Sequence, residues 1–297
     1  MLCAAANDAV FKLYRRKLRP LGGYFCLIGL VMVGIFAGLA APHVLWRSDA
    51  ATLRWGLIGG LFSLVSNVFL VRAMAHHEVG VCSTIYRLNL APGAILAFWM
   101  LGEPVTPWKV AGITAAVGAV LLFFSRGNGD ARACAVNQQG FASEAPTVLR
   151  GTGATREERS VAGLEMVVLA SLLRAGMGLA YKHGLTVGAD RELLMAWTGV
   201  CWLAGGAVYS MLMERGQPVI GKTGMYGLCS GLLICGIVYF MAAALQVGEA
   251  SVVLPIAQLS FVATSLFGIV FLKEAVTGRT IAGLLLAVVC VVCLTLA

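Results

Sequence analysis

Charge is scarce in this chain. Only 12% of its 297 residues are Asp, Glu, Lys or Arg, against about a quarter in a soluble domain. So few charges cannot cover a water-facing surface, so hydrocarbon must solvate much of the chain. Metal ligands are scarce too. There are four histidines, and in His76-His77-Glu78 the neighbouring side chains point apart on a turn, so neither a metal nor a cofactor is expected. P-loop, nucleophile-elbow and dinucleotide motifs are missing, and Gly151-Thr152-Gly153 opens no helix, which argues against an enzyme. The alternating ten-residue segments of a membrane β-barrel are also missing. Cysteine is not scarce, but most of the nine lie inside apolar stretches. The CxxC-like spacing of Cys290 and Cys293 falls within one unbroken helix and reads as packing, not as redox or metal chemistry. The first nineteen residues put their charges after the apolar stretch, unlike a cleavable signal peptide.

What is present is apolar length. Hydrophobic residues make up 59% of the chain, and the mean hydropathy is +0.87. A bilayer core takes about 20 apolar residues per helix. Spans read near 22–45, 55–75, 80–101, 108–125, 161–182, 192–213, 223–246, 250–272 and 279–297. The expected fold is an all-α, polytopic membrane protein with about nine full transmembrane helices. The formal charge of +8 does not signal nucleic-acid binding, because the basic residues sit in short gaps between apolar runs. Membrane lipids are the expected surroundings, and a bacterial plasma (inner) membrane the expected location. Residues 126–160 are rich in Gly, Ser, Thr, Arg and Glu and read as a flexible extramembrane linker.

That linker divides two similar halves, 1–125 and 161–297. A displacement of 171 aligns 56–124 with 227–295 without a gap. Gly56 and Gly60 meet Gly227 and Gly231. Glu78 meets Glu249, and Glu103 meets Glu274. Arg87 meets Gln258, and Asn89 meets Ser260. Near the start the displacement becomes 170, so that Phe11-Lys12 meets Tyr181-Lys182. In the second half that pair closes a whole span. In the first it follows a stretch too short to cross a bilayer, so the first helix is expected to be truncated, with a start site further upstream favoured. Two units of five helices place the second upside down relative to the first. This is the inverted 5+5 repeat of a carrier, with its site between the halves.

Three features now point to a family. They are the 5+5 repeat itself, the stretch NDAVFK over 7–12, and a Glu after each fourth helix, in Gly102-Glu103-Pro104 and Lys273-Glu274-Ala275. Ile85-Tyr86-Arg87-Leu88-Asn89 and Pro255-Ile256-Ala257-Gln258-Leu259-Ser260-Phe261 fit the same pattern. The chain resembles the EamA type of the drug/metabolite transporter superfamily. The resemblance implies export or exchange of small metabolites such as amino acids, and sometimes drugs or nucleotide sugars. Related small multidrug exporters carry a glutamate eight residues before the lysine. Here those positions hold Arg174 and Ala4, which disfavours proton-coupled export of lipophilic cations. The basic residues put the linker in the cytoplasm and the C-terminus outside, whereas the resemblance implies a cytoplasmic C-terminus.

An ionised side chain within a span costs about 2.5–3.5 kcal/mol on insertion scales and normally faces a cavity or a partner. Arg87 and Arg174 are therefore the leading substrate-binding candidates, since a guanidinium suits carboxylate or phosphate. Snorkelling or structural pairing is the competing reading for each. Tyr86, Asn89, Gln258 and Ser260 share the pseudo-equivalent helices 4 and 9. Asn67 and Tyr239 are weaker candidates, with plain helix–helix hydrogen bonding as the alternative. Glu165, Glu78 and Glu249 are candidates for ion coupling, although an acid before a helix also complements its dipole. The Gly34/Gly38, Gly56/Gly60 and Gly227/Gly231 pairs are expected at close helix contacts, and Pro92 and Pro255 at kinks. The function that follows is secondary transport of a small polar metabolite, amino-acid-like or an organic anion, by alternating access. The alternative is a non-transporting membrane sensor or assembly subunit. A homodimer is a further partner expectation.

Overall fold

The computed structural model describes residues 2–15, 20–40, 49–73, 85–138, 156–214, 221–260, 262 and 278–296. Its helices are α1 (Leu2–Arg15), α2 (Leu21–Leu39), α3 (Ala50–Ala73), α4 (Leu90–Met100), α5 (Pro107–Gln138), α6 (Arg156–Thr186), α7 (Arg191–Met213), α8 (Lys222–Val247), α9 (Ala250–Gln258) and α10 (Gly278–Thr295). No strand occurs among the described residues. This is the all-α membrane fold expected, because a backbone in hydrocarbon must bond within its own segment. Local chemistry marks the ends. Pro107 opens α5, where its missing N–H is no loss. Asp190 caps α7 by accepting from the Leu193 amide at 2.9 Å. Gly188 turns the chain between α6 and α7 at a φ of 86°, open to glycine without strain.

Four described segments are long and apolar enough to cross a membrane: Leu21–Leu39, Ala50–Ala73, Arg191–Met213 and Thr223–Val247. Shorter apolar helices cover Pro107–Leu122 and Ile281–Thr295. The expected spans 80–101 and 250–272 fall partly outside the described residues. Helix α1 has 14 residues and α6 has 31. Helix also reaches into the stretch read as linker, through Gln138 at one end and from Arg156 at the other. Composition hid this. Ala131, Arg132 and Ala133 are good helix formers among the glycines, and Glu157 and Glu158 suit a first turn. Residues 139–155 of that stretch lie outside the described residues.

The chain forms two compact units. The first comprises 1–64, 93–104 and 176–274. Its centre is the α2–α7 pair. Lipid tails give helices no hydrophobic reason to associate, so close backbone approach and hydrogen bonds must hold them. A Cβ added to Gly29 would stand 2.7 Å from the Gly199 carbonyl oxygen, and one added to Gly199 would stand 3.1 Å from the Gly29 carbonyl oxygen. The glycines thus touch each other, and 29 and 199 differ by 170. A Cβ on Gly56 would meet Trp197 at 2.7 Å, and one on Gly60 would meet Cys201 at 2.9 Å. On α8, Gly227 meets Leu27 at 2.8 Å and Gly231 meets Val31 at 2.9 Å. The contacts of α3 on α7 therefore recur as contacts of α8 on α2, under the displacements found in the sequence. Gly34 and Gly38 differ, with nothing within 4 Å of an added Cβ.

Polar and aromatic groups fill the rest of this unit. The Glu214 carboxylate accepts from the Leu21 and Gly22 amides at 2.6 and 2.9 Å, capping α2 from across the chain. Tyr14 stacks on Tyr24 at 4.5 Å, and Tyr24 donates to Ser230 at 2.5 Å. Trp202 donates to Ser63 at 3.2 Å.

The second unit comprises 65–92, 105–175 and 275–297. In it α5 packs along α10, with Gly112 against Leu294 and the Cys290 carbonyl. Cys290 and Cys293 are buried in α10. The ends of α3 and α6 share a core of Leu70, Ala73, Val167 and Ala170, flanked by Phe69, Ile85, Tyr86 and Met166.

The glycine seam yields a direct test. Gly29→Ala forces a methyl into backbone and is expected to cost about 1–3 kcal/mol, whereas Gly34→Ala meets open space and should change stability little. Thermal unfolding of the two variants in detergent, followed by tryptophan fluorescence, measures the difference.

Candidate functional site

The second unit holds most of the sequence-derived candidates: Asn67, Tyr86, Arg87, Asn89, Glu165 and Arg174. The first holds Tyr239, Glu249, Gln258 and Ser260. Glu78 lies outside the described residues.

In the second unit a broken helix brings the candidates to α3 and α6. Residues 85–87 form one helical turn, Leu88 and Asn89 form a tight turn, and α4 starts at Leu90. Leu88 N–H bonds the Ile85 carbonyl at 3.1 Å, and Ala91 N–H bonds the Leu88 carbonyl at 3.1 Å. Pro92 explains the second bond. Its nitrogen carries no hydrogen for the Leu88 carbonyl, which takes the amide one residue earlier instead. At the displaced positions Leu259 N–H bonds Ile256 at 3.1 Å and Val262 N–H bonds Leu259 at 2.9 Å. The helix therefore breaks at the same register in both halves. The breaks are at Leu88–Asn89 and Leu259, not at the prolines themselves. Asn89 and Ser260 sit at these breaks and are buried.

One residue that the sequence reading passed over ties three segments together. Ser66 of α3 is fully buried and donates to the Ala170 carbonyl of α6 at 2.7 Å. Its hydroxyl also lies 3.2 Å from that of Tyr86. Asn67 and Arg87 are the chain neighbours of these two. Arg174 is four residues beyond Ala170, one turn along the same face of α6. Asn67, Tyr86, Arg87 and Arg174 are all partly buried, while Glu165 is exposed. A serine in an apolar span carries no charge to single it out, so only its contacts reveal its place.

The charges of this unit are one-sided. Among its described side chains the cations are Arg72, Arg87, Lys109 and Arg174, and the acid is the exposed Glu165. Arg72 lies in the last turn of α3, where a cation complements the helix dipole. Lys109 is only 1% exposed and stands in the first turn of α5, the end that disfavours a cation. It is a buried charge.

In the first unit the polar groups have structural partners. The Arg191 guanidinium lies over the Tyr239 ring at 4.7 Å and bonds Gln246 at 3.0 Å and Glu192 at 2.5 Å. Tyr239 thus belongs to a cluster at the start of α7. Glu249 precedes α9 without a side-chain capping bond. The Glu103 carboxylate, which precedes α5 in the chain, accepts from the Ala250 and Ser251 amides of α9, at 2.7 and 2.8 Å.

The apolar helices, and the break that recurs at Leu88–Asn89 and at Leu259, stand beside the residues that led to one family in the sequence. Residues 1–125 match the model of the EamA-like transporter family. This agrees with the resemblance to drug/metabolite transporters, and with the apolar helices it makes the chain an integral, multi-pass membrane protein. A solved crystal structure 14% identical to the chain shares its fold, with a TM-score of 0.71 over 99% of this chain and 94% of that one. No curated protein matches the chain.

The Ser66 junction can be tested without a substrate. Ser66→Ala removes the hydroxyl bonded to Ala170 and is expected to destabilise the protein by about 1 kcal/mol, with Tyr86→Phe costing less. In denaturant titration of the two single variants and the double, strict additivity would mean that the hydroxyls do not interact.

Proposed function

We propose that the chain is a secondary transporter of a small polar metabolite bearing an anionic group, either amino-acid-like or an organic anion, and that it works by alternating access. The family matched by its first 125 residues supports transport of the drug/metabolite type. The anionic preference rests on one observation: two arginines, Arg87 and Arg174, stand partly buried within apolar stretches of the second unit. An ionised side chain in a span normally faces a cavity or a partner. Arg87 and Arg174 are the groups assigned to that anion, because a guanidinium fork pairs bidentately with carboxylate or phosphate. Asn67, Tyr86 and Asn89 are the neutral hydrogen-bonding groups assigned with them, and Gln258 and Ser260 are assigned to substrate as the residues at the displaced register. Glu165 and Glu249 are the described carboxylates assigned to ion coupling. A bacterial plasma membrane is the proposed setting.

The test is uptake into proteoliposomes with a panel of amino acids, organic acids and phosphorylated metabolites. Arg87→Ala and Arg174→Ala are each expected to lower uptake of the preferred anion at least tenfold, which corresponds to about 1.4 kcal/mol. Full uptake in both variants removes the site. Absence of uptake for every solute would favour the non-transporting sensor or assembly subunit.

A further inference from the structure

Helix α8 gives way to α9 across two residues, Gly248 and Glu249. The last carbonyls of the one helix and the first amides of the other have no partner within their own helices. Two side chains from distant parts of the chain take them up. The Lys182 ammonium, on α6, donates to the Leu245 carbonyl at 2.8 Å and to the Gly248 carbonyl at 2.7 Å. The Glu103 carboxylate, between α4 and α5, accepts from Ala250 and Ser251 with one oxygen each. Each charge sits at the helix end whose dipole it complements.

Helix α9 needs this outside support. It has nine residues and carries Pro255 inside, and a helix that short is marginal by itself. Its N-cap residue gives it no side-chain bond. Leu254 also packs against α6, 2.6 Å from where a Cβ on Gly178 would be. Gln258 ends the helix, and buried Ser260 follows. A small change in direction at Ala250 would therefore be carried along the helix to both residues.

We propose that Lys182 and Glu103 act together as one charge clamp on the α8–α9 junction, which aims α9 and thereby places Gln258 and Ser260. Both are positioning residues, and neither is among the residues assigned to substrate. The clamp concerns backbone geometry alone, so it holds or fails independently of the transport reading.

Hydrogen exchange on the full chain in nanodiscs tests it. In Glu103→Ala the amides of residues 250–251 exchange at least tenfold faster, while those of 195–210 in α7 keep their wild-type rates. Glu103→Gln keeps one acceptor oxygen and shows a smaller acceleration in the same place. Lys182→Met speeds exchange at Gly248 and, because the clamp is one device, at 250–251 as well. A cysteine introduced by Ser260→Cys is labelled faster by a membrane-permeant maleimide in either background, as read by peptide mass. The clamp is refuted by rates at 250–251 within twofold of wild type in Glu103→Ala. Equal acceleration in α7, which would be general loosening, refutes it too, as does Lys182→Met leaving 250–251 untouched. Unchanged labelling at position 260 would refute the aiming role.

Discussion

A backbone amide in hydrocarbon has no water to turn to, and the architecture follows from this constraint. Helices answer it along their length but not at their ends or breaks. The side chains that matter most in this fold are found at those unsatisfied places. Glu214 serves the amides that open α2, Glu103 those that open α9, and Lys182 the carbonyls that close α8. Each reaches across a long stretch of chain, so each cap also ties two helices together. At the break before α4, the amides step back to the i→i+3 pattern.

The same constraint separates what was legible in the sequence from what was not. The cost of a charge in a span made Arg87 and Arg174 visible, and glycine and glutamate at one register made the repeat visible. Ser66 was invisible because a lone serine is cheap anywhere in a helix, and its importance lies in a bond to a residue 104 positions away. The roles of Glu103 and Lys182 were hidden in a similar way, because the groups they bind also lie far along the chain. Gly34/Gly38 and Gly56/Gly60 have identical spacing, yet one pair meets open space and the other a neighbouring helix. Spacing describes the face of a helix and leaves open whether that face is covered. The length of α5 and α6 was missed because scattered glycines lowered the helical signal of a stretch that also holds good formers.

Charge is also partitioned. Among the described side chains of the second unit cations prevail, whereas the first holds Asp49, Glu103, Asp190, Glu192, Glu214 and Glu249. In the first unit, four of these acids hold other groups in place: Glu103, Asp190 and Glu214 bind helix amides, and Glu192 binds Arg191. The acids are thus largely committed to architecture.

The α2–α7 seam has one more implication. Gly29 and Gly199 are counterparts, and they touch each other. In a symmetric dimer, a residue that meets its own copy marks the two-fold axis of an isologous interface. The seam therefore has the form of a homodimer interface enclosed in one polypeptide. A substitution there is felt differently from one elsewhere. Any side chain gained by either glycine intrudes at that axis, against backbone of the facing helix.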